Sequence, residues 1–91
     1  LVTAKTVGFG MTIDIDAVDP QDAPGVDVPE DNGIRGADLC DVIQTIAADP
    51  RLIATEVVEF DPSHDSADKT EKLIANLIKV IAAGALRGKY V

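Results

Sequence analysis

Met11-Thr12-Ile13-Asp14-Ile15-Asp16 alternates apolar and polar side chains without a break. Met11, Ile13 and Ile15 fall on one face and Thr12, Asp14 and Asp16 on the other, the period of a β-strand. A strand carrying two acids at its end is unusual in a core, so its neighbours decide what kind of sheet it joins. Seventeen residues follow, Ala17 to Gly33, with three prolines, two glycines and five acids and no apolar period. They read as a loop longer than most connections, and such loops tend to carry function.

Beyond the loop, residues 36–48 place Leu39, Cys40, Val42, Ile43, Ile46 and Ala47 at spacings of three and four, an amphipathic helix. Gly36 and Asp38 suit its start, and Asp49-Pro50 ends it because a residue before proline avoids the helical region. Residues 52–60, Leu-Ile-Ala-Thr-Glu-Val-Val-Glu-Phe, are mostly apolar and β-branched and predict a largely buried strand. Residues 61–68 form a turn. A second helix is predicted over 68–83, with Leu73, Ile74, Leu77, Ile78 and Ile81 along one stripe, Asp65, Ser66 or Asp68 as its cap, and Gly84 and Gly88 at its fraying end. Strand, helix, strand, helix is the order of an α/β chain with a parallel sheet covered on both faces.

Composition narrows the function. The chain has 91 residues, 16 acidic and 8 basic side chains, and a formal net charge of −8. Such a chain is a poor partner for a phosphate backbone, so no nucleic-acid role is expected. A hydrophobic share of 46% excludes a disordered acidic tail. No apolar run approaches the roughly 18 residues of a membrane span. Cys40 is the single cysteine, so no disulfide forms within the chain, and a cytoplasmic location is expected. Cys40 itself reads as a small buried hydrophobe. The chain opens on Leu1 with no signal segment, which reads as the start of a piece of something longer.

In a parallel sheet the ligand site lies beyond the carboxyl ends of the strands. Here both strands end in acids: Asp14 and Asp16 on the first, Glu59 on the second. Two carboxylates on one face, with Cα atoms ~7 Å apart, repel one another unless a cation sits between them. Hard divalent ions answer that need, and two of them can share a carboxylate. Taken alone, Asp-x-Asp at a strand end also fits a turn cap or a solvated pair, and Glu59 an ordinary strand-end acid. His64, in the turn, reads as a helix-start or solvent residue rather than a ligand.

The longer phrase is more specific. Asp14-Ile15-Asp16-Ala17-Val18-Asp19-Pro20, then Ala23-Pro24-Gly25, resembles the D-x-D-x-x-D-P…A-P-G signature of the ureohydrolase family, which includes arginase, agmatinase and formimidoylglutamase. Glu59-Phe60-Asp61-Pro62, with Asp65 and Thr70, is similar to that family's E-V-N-P-x-x-D-x-x-x-x-T stretch. The two matches lie at family-like spacing, and the details look most like bacterial arginases. The resemblance implies that residues 1–91 are the carboxyl-terminal β-α-β-α portion of a single three-layer α/β/α domain. It implies that Asp14 and Asp16 ligate two Mn²⁺ ions and that Glu59 pairs with the cationic guanidinium of the substrate. Asp19 is assigned a structural role, accepting hydrogen bonds from loop amides. The activity implied is hydrolysis of a guanidino C–N bond by metal-activated hydroxide, converting arginine to ornithine and urea. Agmatinase or formimidoylglutamase activity on a guanidino or formimino substrate is the neighbouring alternative, and a non-catalytic acidic binding or assembly module the more distant one. A homo-oligomer, trimer or hexamer, is implied for the whole enzyme.

Departures also register. The arginase loop usually runs P-G-V-G-T-P, but here it runs Pro24-Gly25-Val26-Asp27-Val28-Pro29, which bears on the substrate. Phe60-Asp61 stands in place of Val-Asn. The family's two ligating histidines and its other two ligating aspartates do not occur in this stretch. No catalytic residue is therefore assigned to it, and the 91 residues alone are expected to be inactive.

Overall fold

The structure, a computed structural model, describes residues 8–90. The expectations that touch residues 1–7 and 91, the opening at Leu1 among them, lie outside the described residues. The alternating stretch forms strand β1, Phe9–Asp14. Helix α1 spans Gly36–Ala47, strand β2 Leu52–Val58 and helix α2 Lys69–Tyr90. The predicted order of strand, helix, strand, helix is the order observed. The strands pair in parallel, with Ile13 opposite Val57 and Asp14 opposite Val58, so their carboxyl ends share one edge. An irregularity between Phe9 and Gly10 leaves Ile53 without a partner and 73% exposed.

The core explains the pairing. Ile13, Ile15, Val18, Ala23, Val26, Ile43 and Leu77 are buried together, with Met11, Val57, Leu39, Leu73, Ile74 and Ile81 packed against them. Removing such side chains from water supplies the main drive for folding. Both helices cover the same face of the sheet, the Met11–Ile13–Val57 face, and pack on each other. On the opposite face Gly10, Thr12, Ala54 and Glu56 are exposed, and the Thr12 hydroxyl donates to Glu56 at 3.0 Å. The expected cover on both faces is thus met on one face among the described residues. Accordingly no residue of β2 is fully buried, although its apolar run predicted that.

The loop is less passive than its composition suggested. Ala23, Gly25 and Val26 are buried, and a parallel bridge joins Val18 to Ile34. Gly33 sits so close beneath that bridge that a Cβ there would lie 2.6 Å from the Ala17 carbonyl oxygen. The Asp22 carboxylate reaches across to accept from the Gly36 N–H at 2.8 Å and from Arg35 Nε at 3.2 Å. The cap of α1 therefore comes from the loop, not from the residues at its own start. At α2 the cap is Asp65, one of the three candidates, accepting from Thr70 N at 2.9 Å and Glu71 N at 3.1 Å.

Two positions leave the expected stripes: Val42 and Ile78 are each 56% exposed, displaced by one residue from the buried Ile43 and Leu77. Gly84 does not fray the helix, which runs on through Gly88 to Tyr90. It lets α2 approach α1, since a Cβ at Gly84 would stand 2.7 Å from Ala47. Cys40 is half-buried and packs against the core. Among the described residues no helix is long and apolar enough to cross a membrane.

Candidate metal and substrate site at the strand ends

The strand stops two residues earlier than its alternation implied. Asp14 is its last residue, and Ile15–Ala17 turn at once into a 3-10 helix. Ile15 is 0% exposed and keeps its place in the core through the turn. Asp14 caps that turn, its Oδ1 accepting from the Asp16 N–H at 3.2 Å. Asp14 and Asp16 are therefore brought together by the turn, not by the period-two geometry of a continuous strand.

β2 is likewise shorter than predicted. It ends at Val58, so Glu59 is the first residue beyond the strand rather than its next-to-last. Glu59 has φ 68, the left-handed region, which costs a non-glycine residue roughly 1–2 kcal/mol. Such strain persists only where surrounding structure imposes it. Here the parallel pairing fixes the chain before Glu59, and the Asp61 N–H, held by the Gly25 carbonyl at 2.7 Å, fixes it after.

These carboxylates act on one another. The Asp16 carboxyl is held above the usual carboxylate range, first by its hydrogen bond with Asp14, then by partial burial and by the negative charges of Asp14, Glu59 and Glu30. The three acids singled out in the sequence thus lie at one sheet edge, and the charge of Glu30, in the exposed loop, also reaches Asp16. Glu30 escaped the sequence reading because it is one of five acids in a loop without period. The charges that weigh most on Asp16 are all negative, so the edge presents oxygen donors in need of a cation. Carboxylate oxygens match hard divalent ions, and Asp14 with Asp16 are the residues that could hold them.

Around the site the chain is braced. Asp19 accepts from the Gln21 N–H at 2.9 Å, the loop-amide role expected of it. The Gly25 N–H donates to the Thr70 hydroxyl at 2.7 Å, and Thr70 is fully buried. A Cβ at Gly25 would fall 2.9 Å from that hydroxyl, so only glycine allows the contact. Asp65, besides capping α2, has its carboxyl pushed up by burial, but the amides of Thr70, Glu71 and Ser66 outweigh this and hold it below the ordinary value.

The fold and the sequence have known counterparts. The family model described as "Arginase family" matches residues 2–84. The chain is similar to mitochondrial arginase 1 of Arabidopsis thaliana, 35% identical over 77 residues that make up 84% of this chain and 22% of that protein. It is also similar to agmatinase of Halalkalibacterium halodurans, 35% identical over 75 residues, 81% of this chain and 26% of the other. Among solved structures, formimidoylglutamase from Bacillus subtilis superposes with a TM-score of 0.83 at 29% identity, over 88% of this chain and 25% of that one. The chain spans about a quarter of the length of these relatives. A two-stranded parallel sheet, two acidic strand ends and a match over most of the sequence converge: the chain belongs to the arginase family.

Proposed function

We propose that the chain is the carboxyl-terminal part of a longer ureohydrolase and supplies two metal ligands, Asp14 and Asp16, and one substrate contact, Glu59, to its active site. The supporting observation is that Asp14 ends β1 and Glu59 follows the end of the parallel strand β2 at the same sheet edge, with Asp16 tied to Asp14 by the turn. In this reading a pair of Mn²⁺ ions supplies, when bound, an activated water at neutral pH. Asp14 and Asp16 would hold the ions, and the Asp14 carboxylate is tied to the backbone of Asp16 by accepting from its N–H. Glu59 accepts the planar cation of a guanidino substrate, a charge-assisted pair with two parallel hydrogen bonds. The substrate proposed first is arginine, cleaved to urea and ornithine, in an enzyme that assembles as a homo-oligomer.

A second reading rests on a specific observation. The loop beside the site carries Asp27 where arginases have glycine, and relatives of comparable similarity include agmatinase and formimidoylglutamase. Assays of the full-length protein with Mn²⁺ on arginine, agmatine and formimidoylglutamate, reading urea or formamide, separate these substrates. Asp14→Asn is expected to abolish Mn²⁺-dependent turnover. Glu59→Gln is expected to raise KM by about 10–100-fold, the ~1.5–3 kcal/mol of a hydrogen bond to a charged group. Unchanged turnover in Asp14→Asn would overturn the reading.

A further inference from the structure

The only histidine of the chain stands next to the positions where the sequence departs from the arginase pattern. His64 closes the 3-10 turn Pro62–His64 that follows β2, and Asp61 caps that turn. Asp27 comes from the long loop. His64 Nδ1 lies 2.9 Å from Asp61 Oδ2 and 3.6 Å from Asp27 Oδ1. One ligand atom from each of the three residues falls within 4.8 Å of the others. We propose that His64, Asp61 and Asp27 form a second cation site, selective for a zinc-class divalent ion and sharing no residue with the Asp14–Asp16 pair.

The spacing suits an ion rather than only a proton. Ligand bonds of ~2.0–2.2 Å in tetrahedral array place ligand atoms ~3.4 Å apart. The two nitrogen–oxygen distances bracket that edge. The donors are also held before any ion arrives. Asp61 Oδ1 is occupied by the Ser63 N–H at 3.0 Å and the Ser63 hydroxyl at 2.6 Å, which turns Oδ2 toward His64. The His64 N–H donates to the Asp61 carbonyl at 3.1 Å. The Asp61 N–H donates to the Gly25 carbonyl at 2.7 Å, stitching the turn to the loop that carries Asp27 two residues on. Ligands arranged in advance spare binding the cost of ordering them.

The donor set chooses the class of ion. An imidazole nitrogen with two carboxylate oxygens favours Zn²⁺, Co²⁺ or Ni²⁺ over Mg²⁺ and Ca²⁺, which take oxygen alone. The side chains of Asp27 and His64 are 75% and 52% exposed, so the ion is reachable and its remaining position is open to water. Binding requires the unprotonated imidazole nitrogen, and the hydrogen bond to Asp61 gives way to the metal bond as the proton leaves. This inference does not rest on the arginase-like reading of the strand ends.

The test uses the protein bearing Asp14→Asn and Asp16→Asn, which silences the first site, titrated with Zn²⁺ alone. The imidazole ¹⁵N resonances of His64, assigned by their loss in His64→Gln, report on the site directly. The expected result is one stoichiometric Zn²⁺ by calorimetry with a shift of the Nδ1 resonance. Affinity should weaken at least about 10-fold in His64→Gln and in Asp27→Asn. The same Zn²⁺ titration on the unsubstituted protein reads the His64 resonance with no substitution that could disturb folding. An imidazole unmoved by saturating Zn²⁺ there overturns the proposal. So does a Zn²⁺ event that survives at full affinity in Asp27→Asn, which would mark a lone-histidine contact.

Discussion

A single side chain, Asp16, shows how function and stability pull apart. Its carboxyl is raised, so in the fold the ionised form is disfavoured at neutral pH relative to the unfolded chain. Asp16→Asn removes that penalty. The metal-free variant is expected to melt at a higher temperature than the parent at neutral pH, and Mn²⁺ is expected to raise the melting temperature of the parent but not of the variant. Thermal denaturation with and without Mn²⁺ checks both halves; a lower metal-free melting temperature would contradict the crowding of charge described above. Asp14, Asp16 and Glu59 stand out in the sequence because acids at the ends of apolar strands are conspicuous. Their relation does not. Both the turn at Ile15 and the φ of 68 at Glu59 are single-residue changes of direction, and side-chain periodicity carries no signal for them.

At the scale of elements, β1 and the two helices were legible from their apolar periods and β2 from its apolar, β-branched run, whereas the register is visible only in the fold. The loop was legible as a loop but not as part of the core. Ala23 and Val26 are isolated apolar residues between prolines and acids, so nothing in their spacing announces burial. What fixes them is long-range: the Gly25 N–H bound to a hydroxyl 45 residues away. Thr70→Val keeps the shape of that side chain and removes the acceptor. It leaves a buried N–H unpaired, and is expected to cost about 1–3 kcal/mol in urea denaturation. A change under about 0.5 kcal/mol would mean that the loop rearranges freely. Helix capping tells the same story. The α2 cap, Asp65, is local and was among the candidates, whereas the α1 cap, Asp22, comes from 14 residues upstream and was not.

For the whole molecule, acidity governs the response to pH. Asp49 is drawn down to about 2 by its hydrogen bonds from the Arg51 side chain and backbone. Asp22, held first by the Gly36 N–H and then by Arg35, and Asp61, held first by the Ser63 hydroxyl, also lie below the ordinary value, as does Asp65. A carboxyl depressed in the fold stabilises it above the unfolded value of about 3.9, and that contribution disappears as pH falls through the folded value. Asp16 acts with the opposite sign but is one against four. The melting temperature is therefore expected to fall between about pH 4 and pH 2, and Asp49→Asn to flatten the lower end of that decline. A melting temperature that held level across this window would refute the assignment. The open sheet face was beyond the reach of the sequence, because β2 is apolar enough for cover on both sides and only the fold shows which side the helices take. The bridge between Val18 and Ile34 has a different consequence. By tying the ends of the loop together it leaves residues 28–32, all exposed, as a tip whose length is free to vary. Doubling a flexible loop costs only about 0.6 kcal/mol in closure entropy. Insertions at this tip can thus remodel what approaches the strand-end carboxylates while the start of α1 stays where Asp22 holds it, making the loop the part of the chain best suited to evolutionary tinkering.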